Sequence, residues 1–304
     1  APQCRFCLKN HLDAYHLADW NSHLFHGRAD VSLSLITKGA LMSLKVNNIS
    51  YQLKSRLLLD ALSFDALEGE MKVIIGPNGA GKTTLLKILS RILKQKEGHL
   101  SLNEQSIDDF SPREIAKILS YMPQFSEFPS MRVLEVLELG RYTSAKGRIK
   151  KEDRVLIEQM ITDLSLENIL DKNIATLSGG ERQKVLLAAS LIQEPKILIL
   201  DEPISSLDPK NQLEVLKIIK KMTKERHIIT LIVLHDIQHA LHYGDSLLML
   251  KQGRVFKEIK THEIEAAHLN QLFEVESKLF KEEHHTFIYY THSHENQNEW
   301  HHEH

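Results

Sequence analysis

Residues 71 to 84 read MKVIIGPNGAGKTT, an apolar run followed at once by three glycines, a proline and a lysine. The helical pattern TTLLKILSRIL comes directly after, so the spacing predicts strand, tight loop and helix in immediate succession, and an α/β fold built around that junction. The loop fits GxxxxGK[ST], with Gly76, Gly81, Lys82 and Thr83 at the defining positions. Glycines there let successive backbone N–H groups turn inward around a polyphosphate, and the helix that follows offers unpaired N–H groups and a positive dipole end. The candidate phosphate cradle is Gly76, Pro77, Asn78, Gly79, Ala80, Gly81, Lys82, Thr83 and Thr84. Lys82 is expected on the β- and γ-phosphates and the Thr83 hydroxyl on Mg²⁺. By itself the loop specifies a nucleoside triphosphate and nothing narrower.

A cradle of this kind needs a metal-orienting acid and a group to activate water. ILILDEP, residues 197 to 203, supplies both at the end of a predicted buried strand. Asp201 is the expected Mg²⁺ partner, directly or through water, and Glu202 the expected general base. LSGGE, residues 177 to 181, then offers a second Gly-rich helix start, with Ser178, Gly179 and Gly180 as candidate anion ligands. Two anion-binding helix starts and one lysine-bearing loop are reconciled if two chains meet head to tail. Each nucleotide then lies between the loop of one chain and the LSGGE of the other.

The rest of the chain is consistent with one α/β unit. KVII, KILIL and HIITLIVL are continuous apolar runs of strand length, as expected of strands buried on both faces. LLML and GRVFKEI flank the turn Lys251-Gln252-Gly253 as a late hairpin. A helical lobe is expected over about 105 to 178, opening with the capping box SPRE at 111 to 114. The longest apolar stretch, Ile228 to Leu234, falls far short of the roughly 20 residues that cross a bilayer. A formal charge of -2 over 304 residues provides no field to attract nucleic acid. Only Cys4 and Cys7 occur, which points to a reducing compartment, and their distance from His11 is too short for a common zinc finger. Residues 1 to 41 read as a non-native or disordered extension ahead of Met42. Residues 274 to 304, with seven histidines from 284 onward, read as a flexible or partly ordered tail able to buffer Zn²⁺, Ni²⁺ or Cu²⁺ through imidazole nitrogens.

GPNGAGKTT, Gln124 in YMPQ, LSGGERQ, ILILDEP, SSLD (205 to 208) and His235 in VLHD follow one another in the order and approximate spacing of ATP-binding cassette (ABC) ATPase domains, which the chain resembles over roughly residues 43 to 273. The resemblance implies a P-loop NTPase fold: a RecA-like core with a mainly parallel sheet, an antiparallel β subdomain and an inserted helical subdomain. It implies ATP and Mg²⁺ as cofactors, Tyr51 as the adenine-stacking aromatic, Gln124 as a contact to Mg²⁺ and water, Asp208 as a residue that communicates across the dimer, and His235 as the γ-phosphate sensor. It also implies an ATPase that drives transport.

Lys82 and Ser178 are only roughly 95 residues apart, which leaves no room for the coiled coils of DNA-repair relatives. One copy of each motif argues against tandem translation-factor types. A transporter subunit is the expectation, docked on a separate permease at the cytoplasmic face of the inner membrane. A substrate-binding protein would be an indirect partner. SPREIAKILSYMPQ followed by MRVLEVLELGRY resembles importer ATPases for iron–siderophore complexes, haem and cobalamin; zinc or manganese importers, other importers and a non-transport ATPase are the alternatives.

Overall fold

A computed structural model describes residues 41–124, 130–142, 149–282 and 285–291. The extension expected over residues 1 to 41, apart from Leu41, lies outside them. In chain order the elements are β1 (Ser43–Leu53), β2 (Arg56–Leu67), β3 (Met71–Ile75), α1 (Lys82–Leu89), β4 (Glu97–Leu102), β5 (Gln105–Ser106), α2 (Pro112–Ile118), β6 (Leu119–Met122), α3 (Val133–Tyr142), α4 (Lys151–Asp163), α5 (Gly179–Ile192), β7 (Ile197–Asp201), α6 (Pro209–Glu225), β8 (Ile229–Val233), α7 (Ile237–Tyr243), β9 (Ser246–Lys251), β10 (Arg254–Lys260), α8 (Ala266–Phe273), β11 (Glu276–Glu282) and β12 (His285–Thr291).

The central sheet runs β10-β9-β3-β8-β7-β6, parallel except for β10, which folds back antiparallel on β9. Successive side chains of β3 serve different layers. Met71, Val73 and Ile75 join a core built with α3, α5, α6, α7 and α8, whereas Ile74 joins a second core with α1 and the antiparallel sheet β2-β1-β4-β5. Both faces of the strand are covered, so Met71, Val73, Ile74 and Ile75 are apolar, and the one charged residue, Lys72, is buried with its ammonium paired to Glu258. This is the expected P-loop architecture, with the phosphate loop emerging between two packed layers.

Two boundaries differ from the sequence reading. Gln105–Ser106 belongs to the antiparallel sheet, and Leu119–Met122 is a strand of the central sheet, paired parallel with β7, inside what reads as a helical stretch. LSYM is only four residues long and follows α2 with no turn residue between, so periodicity has nothing to register. The helical lobe proper is α3 and α4. The capping box at α2 is formed as expected: the Glu114 N–H donates to Ser111 Oγ at 3.4 Å and the Ser111 N–H to Glu114 Oε2 at 2.8 Å.

The second difference is at the C-terminal end, where β11 and β12 form a hairpin, Glu276 opposite Thr291 and Glu282 opposite His285. Leu279 and Ile288 pair on the face that packs on the helical layer. Gln238 on α7 donates to the Thr286 carbonyl at 2.8 Å and accepts from the Ile288 N–H at 3.2 Å. Phe280 and Tyr289 are exposed, so apolar residues occur on both faces and the period of two is blurred. The last histidines, from His292 onward, lie outside the described residues.

Within the lobe, Arg141 joins three elements. Its Nε donates to Asp153 Oδ1 at 2.5 Å, and its Nη1 donates to Glu194 Oε2 at 2.7 Å and the Ile192 carbonyl at 3.3 Å. Asp153 also accepts from the Lys150 N–H at 2.8 Å, and Arg141 foremost holds its carboxyl below the ordinary aspartate range. A carboxyl depressed on folding stabilises fully above its unfolded value, about pH 4, and that stabilisation is lost as pH falls through the folded value. Asp153→Asn is accordingly expected to lower the unfolding temperature at pH 7, with the difference from wild type shrinking as the pH falls below 4 in thermal melts. A gap that stayed constant with pH would show that the ion pair is not its source. Gly140 lets α3 approach α5 closely, since a Cβ there would stand 2.5 Å from the Ala189 carbonyl oxygen.

Candidate active site

The phosphate loop leaves β3 at Gly76, where a Cβ would lie 2.2 Å from the Leu250 carbonyl oxygen of the neighbouring strand. It ends at Gly81, whose φ of +99 is a turn that side-chain-bearing residues adopt at a cost. Gly76 is required by backbone approach and Gly81 by its left-handed φ, before any ligand is considered. Lys82 folds back over the loop and donates to the carbonyls of Gly76 at 2.7 Å and Pro77 at 3.0 Å. Its ammonium is buried, which pulls its pKa down, and Glu202 and Asp201 pull it back up. The loop thus carries a desolvated cation whose hydrogen bonds among the described residues go to neutral carbonyls, which a phosphate can exchange for charge-assisted bonds. Asn78 and Gly79 are exposed at the mouth, while Ala80 is buried.

Asp201 closes β7 and is 1% exposed. The Thr83 hydroxyl donates to its Oδ1 at 3.4 Å, while Oδ2 is buried with no hydrogen-bond partner among the described residues. Burial pushes the Asp201 carboxyl up. The Tyr121 hydroxyl, at the end of β6, is also buried beside this carboxylate without a well-formed hydrogen bond. Burial first, then the Asp201 charge, hold it protonated far above the ordinary phenol range. A buried carboxylate oxygen lacking a donor is costly unless a cation faces it. Hard oxygen donors from Asp201, Thr83 and the Gln124 side-chain carbonyl suit Mg²⁺, so the residues fit that ion.

Glu202 is the focus of the site. Its backbone is left-handed at φ +55, a conformation that costs a non-glycine residue about 1 kcal/mol or more, and such strain gathers at functional positions. Its carboxylate accepts from Gln124 Nε2 at 2.5 Å on one oxygen and pairs with His235 Nε2 on the other. The structure therefore brings together Lys82, Thr83, Asp201, Glu202, Gln124 and His235, residues drawn from four separate stretches of chain.

The other candidates stand elsewhere. Tyr51 lies on β1 opposite Leu59, half-buried against the antiparallel layer. Leu59 is the side chain that crowds Gly81, so β1 and β2 run beside the loop. Ser178 caps α5: its hydroxyl donates to Glu181 Oε2 at 2.8 Å and accepts from the Glu181 N–H at 3.2 Å. That capping box repeats the S-x-x-E spacing of Ser111 and Glu114, and the sequence reading overlooked it by treating Ser178 only as a ligand donor. Asp208 caps α6 through the Asn211 N–H at 3.0 Å and is exposed. Among the described residues no hydrogen bond joins Ser178, Gly179, Gly180 or Asp208 to the phosphate loop. Tyr121 and Gln183 were not singled out from sequence. Tyr121 carries no motif signal beyond its place three residues before Gln124, and Gln183 is visible only as the last letter of LSGGERQ.

The ABC transporter family model matches residues 59–205. An uncharacterized ABC transporter ATP-binding protein of Methanocaldococcus jannaschii is 41% identical over 219 residues, 72% of this chain and 86% of that protein. A petrobactin import ATP-binding protein of Bacillus anthracis is 35% identical over 246 residues, 78% of this chain and 89% of its own length. Among solved structures, a dimeric post-hydrolysis ATP-binding cassette bound to ADP and Pi superposes with a TM-score of 0.66 at 28% identity, covering 73% of this chain and all of that one. This chain belongs to the ATP-binding proteins of the ABC transporter family. It is an ATP-binding, ATP-hydrolysing cassette, and no helix among the described residues is long and apolar enough to cross a membrane.

Proposed function

We propose that the chain is the ATPase subunit of a bacterial importer for a metal chelate, such as an iron–siderophore complex, haem or cobalamin. Two copies would act head to tail on a separate permease at the cytoplasmic face of the inner membrane. The observation that carries the chemistry is the Glu202 carboxylate, held between Gln124 and His235 beside Lys82 and Asp201. In this reading Lys82 gives up the Gly76 and Pro77 carbonyls for the β- and γ-phosphates, and the backbone N–H groups from Gly76 to Thr84 line the cradle. Thr83, Asp201 and Gln124 would hold Mg²⁺, which, when bound, neutralises charge on the phosphate oxygens. Glu202 takes the proton of the attacking water, and His235 keeps the carboxylate facing the γ-phosphate position. Tyr51 would support the adenine ring.

Gln124 stands two residues after the end of β6 and precedes the helical lobe. Its exchange of Glu202 for water or metal would be felt where the sheet meets the lobe, the surface expected to meet the permease.

The paired arrangement is supported by the separation, within one chain, of the Ser178–Gly180 turn from the phosphate loop, and by the dimeric state of the similar cassette. Ser178→Arg should place a cation and added bulk where the partner's nucleotide lies. ATPase activity is then expected to fall at least about tenfold while ATP still binds the variant's own phosphate loop, as read by nucleotide binding and turnover. Normal turnover would refute the shared site.

The solute assignment draws on the petrobactin relative and on the SPREIAKILSYMPQ and VLEVLELGRY stretches. It is tested by uptake in vesicles carrying the cognate permease and substrate-binding protein. ATP-dependent accumulation of a ferric siderophore, haem or cobalamin is expected; accumulation of free Zn²⁺ or Mn²⁺, with none of the chelates, would replace this cargo.

A further inference from the structure

Gln183 lies in the second turn of α5 and is 6% exposed, yet all the hydrogen bonds of its side-chain amide go to one loop. Nε2 donates to the Glu202 carbonyl at 3.3 Å and to Ser205 Oγ at 3.1 Å, and Oε1 accepts from the Ser206 N–H at 3.1 Å. The opposite amide orientation would set Oε1 against the Glu202 carbonyl and Nε2 against an N–H donor. The partners themselves therefore fix the direction in which the group points.

The Glu202 carbonyl also accepts from the Ser205 N–H at 3.3 Å and the Ser205 hydroxyl at 3.2 Å. These bonds close a turn from Glu202 to Ser205 and oppose relaxation of the left-handed Glu202 backbone. The start of α5 rests on the same loop. A Cβ on Gly179 would lie 3.2 Å from Ser206 Cβ, and one on Gly180 3.1 Å from Leu207 Cδ2.

We propose that Gln183 is a positioning residue, whose amide fixes the Glu202 backbone so that the carboxylate stays between Gln124 and His235, and ties that setting to the Ser178–Gly180 turn. The inference rests on Glu202 being the base and on that turn serving the partner's nucleotide. A carboxylate is carried about 4 Å from its own Cα, so a modest rotation of the Glu202 backbone displaces it by a distance that matters for proton transfer. Occupation of the turn by one nucleotide would then be felt at the base that serves the other, through the Gln183 amide and the packing of Gly179 and Gly180 on the same loop.

The full chain is tested with Mg-ATP as substrate and a fluorescent ATP analogue as binding probe. Gln183→Met keeps length and burial and removes all three bonds. Its kcat is expected to fall between about ten- and a hundredfold, with KM and analogue affinity within about twofold of wild type. Wild-type kcat would overturn the proposal, and so would a parallel loss of ATP affinity, because the amide would then support the site as a whole.

If Gln183→Met does not fold, Ser205→Ala tests the same carbonyl alone: a lower kcat at unchanged KM is expected, and unchanged kcat overturns the idea. In the double variant the two losses should not multiply, because both act through one carbonyl; multiplied losses count against it. Glu202→Gln, measured alongside, separates the failures. If it is slow while Gln183→Met is normal, only the positioning role falls. If it turns over at the wild-type rate, the base assignment falls and takes this role with it.

Discussion

Glu202→Gln is expected to bind ATP as wild type does and to hydrolyse it about a thousandfold more slowly. The substitution keeps the size of the side chain and an oxygen able to accept from Gln124, so the carboxylate's setting survives while its capacity to take a proton does not. Because hydrolysis is the step that would reopen a nucleotide-bridged pair, the variant should also accumulate as a dimer with ATP in size-exclusion chromatography. Turnover near the wild-type rate would exclude Glu202 as the base. A variant that remained monomeric with ATP, although hydrolytically dead, would count against the head-to-tail arrangement alone.

Lys82→Ala is expected to weaken ATP binding by about a hundredfold or more, since removing one partner of a desolvated charged contact costs about 2–5 kcal/mol. Two effects add here. The phosphates lose their cation, and the carbonyls of Gly76 and Pro77 lose the ammonium that holds the loop in shape. Equilibrium titration with a fluorescent ATP analogue checks the first. Lys82→Arg serves as the companion: it restores charge without the compact ammonium that fits between those two carbonyls, and only partial recovery is expected. Binding at wild-type affinity in Lys82→Ala would remove Lys82 from the site.

The sequence made the phosphate loop legible because its composition has so few other uses, and Asp201 and Glu202 became legible once an apolar strand was seen to end on them. The contacts that set their chemistry were not. No spacing rule relates Gln124 to Glu202, 78 positions on, or brings His235 to the same carboxylate from a different strand. The sheet order β6-β7-β8 does that, by placing three strand ends side by side. β6 itself was hidden by its length, and the hairpin from Glu276 to Thr291 by apolar residues on both of its faces. Gln183 was hidden for another reason. A buried amide on a helix reads as an ordinary polar residue until its three partners are seen to belong to one loop.

The contact at Gly140 has a mechanical meaning. With no side chain between the backbones of α3 and α5 at that point, there is nothing compressible to absorb a displacement, and Arg141, bonded to Asp153, Glu194 and the Ile192 carbonyl, pins the adjoining position. Around this joint α5, capped by Ser178, and the lobe would move as a stiff lever rather than a spring. A push at the Ser178 end would then arrive at the far end as motion instead of being lost as strain.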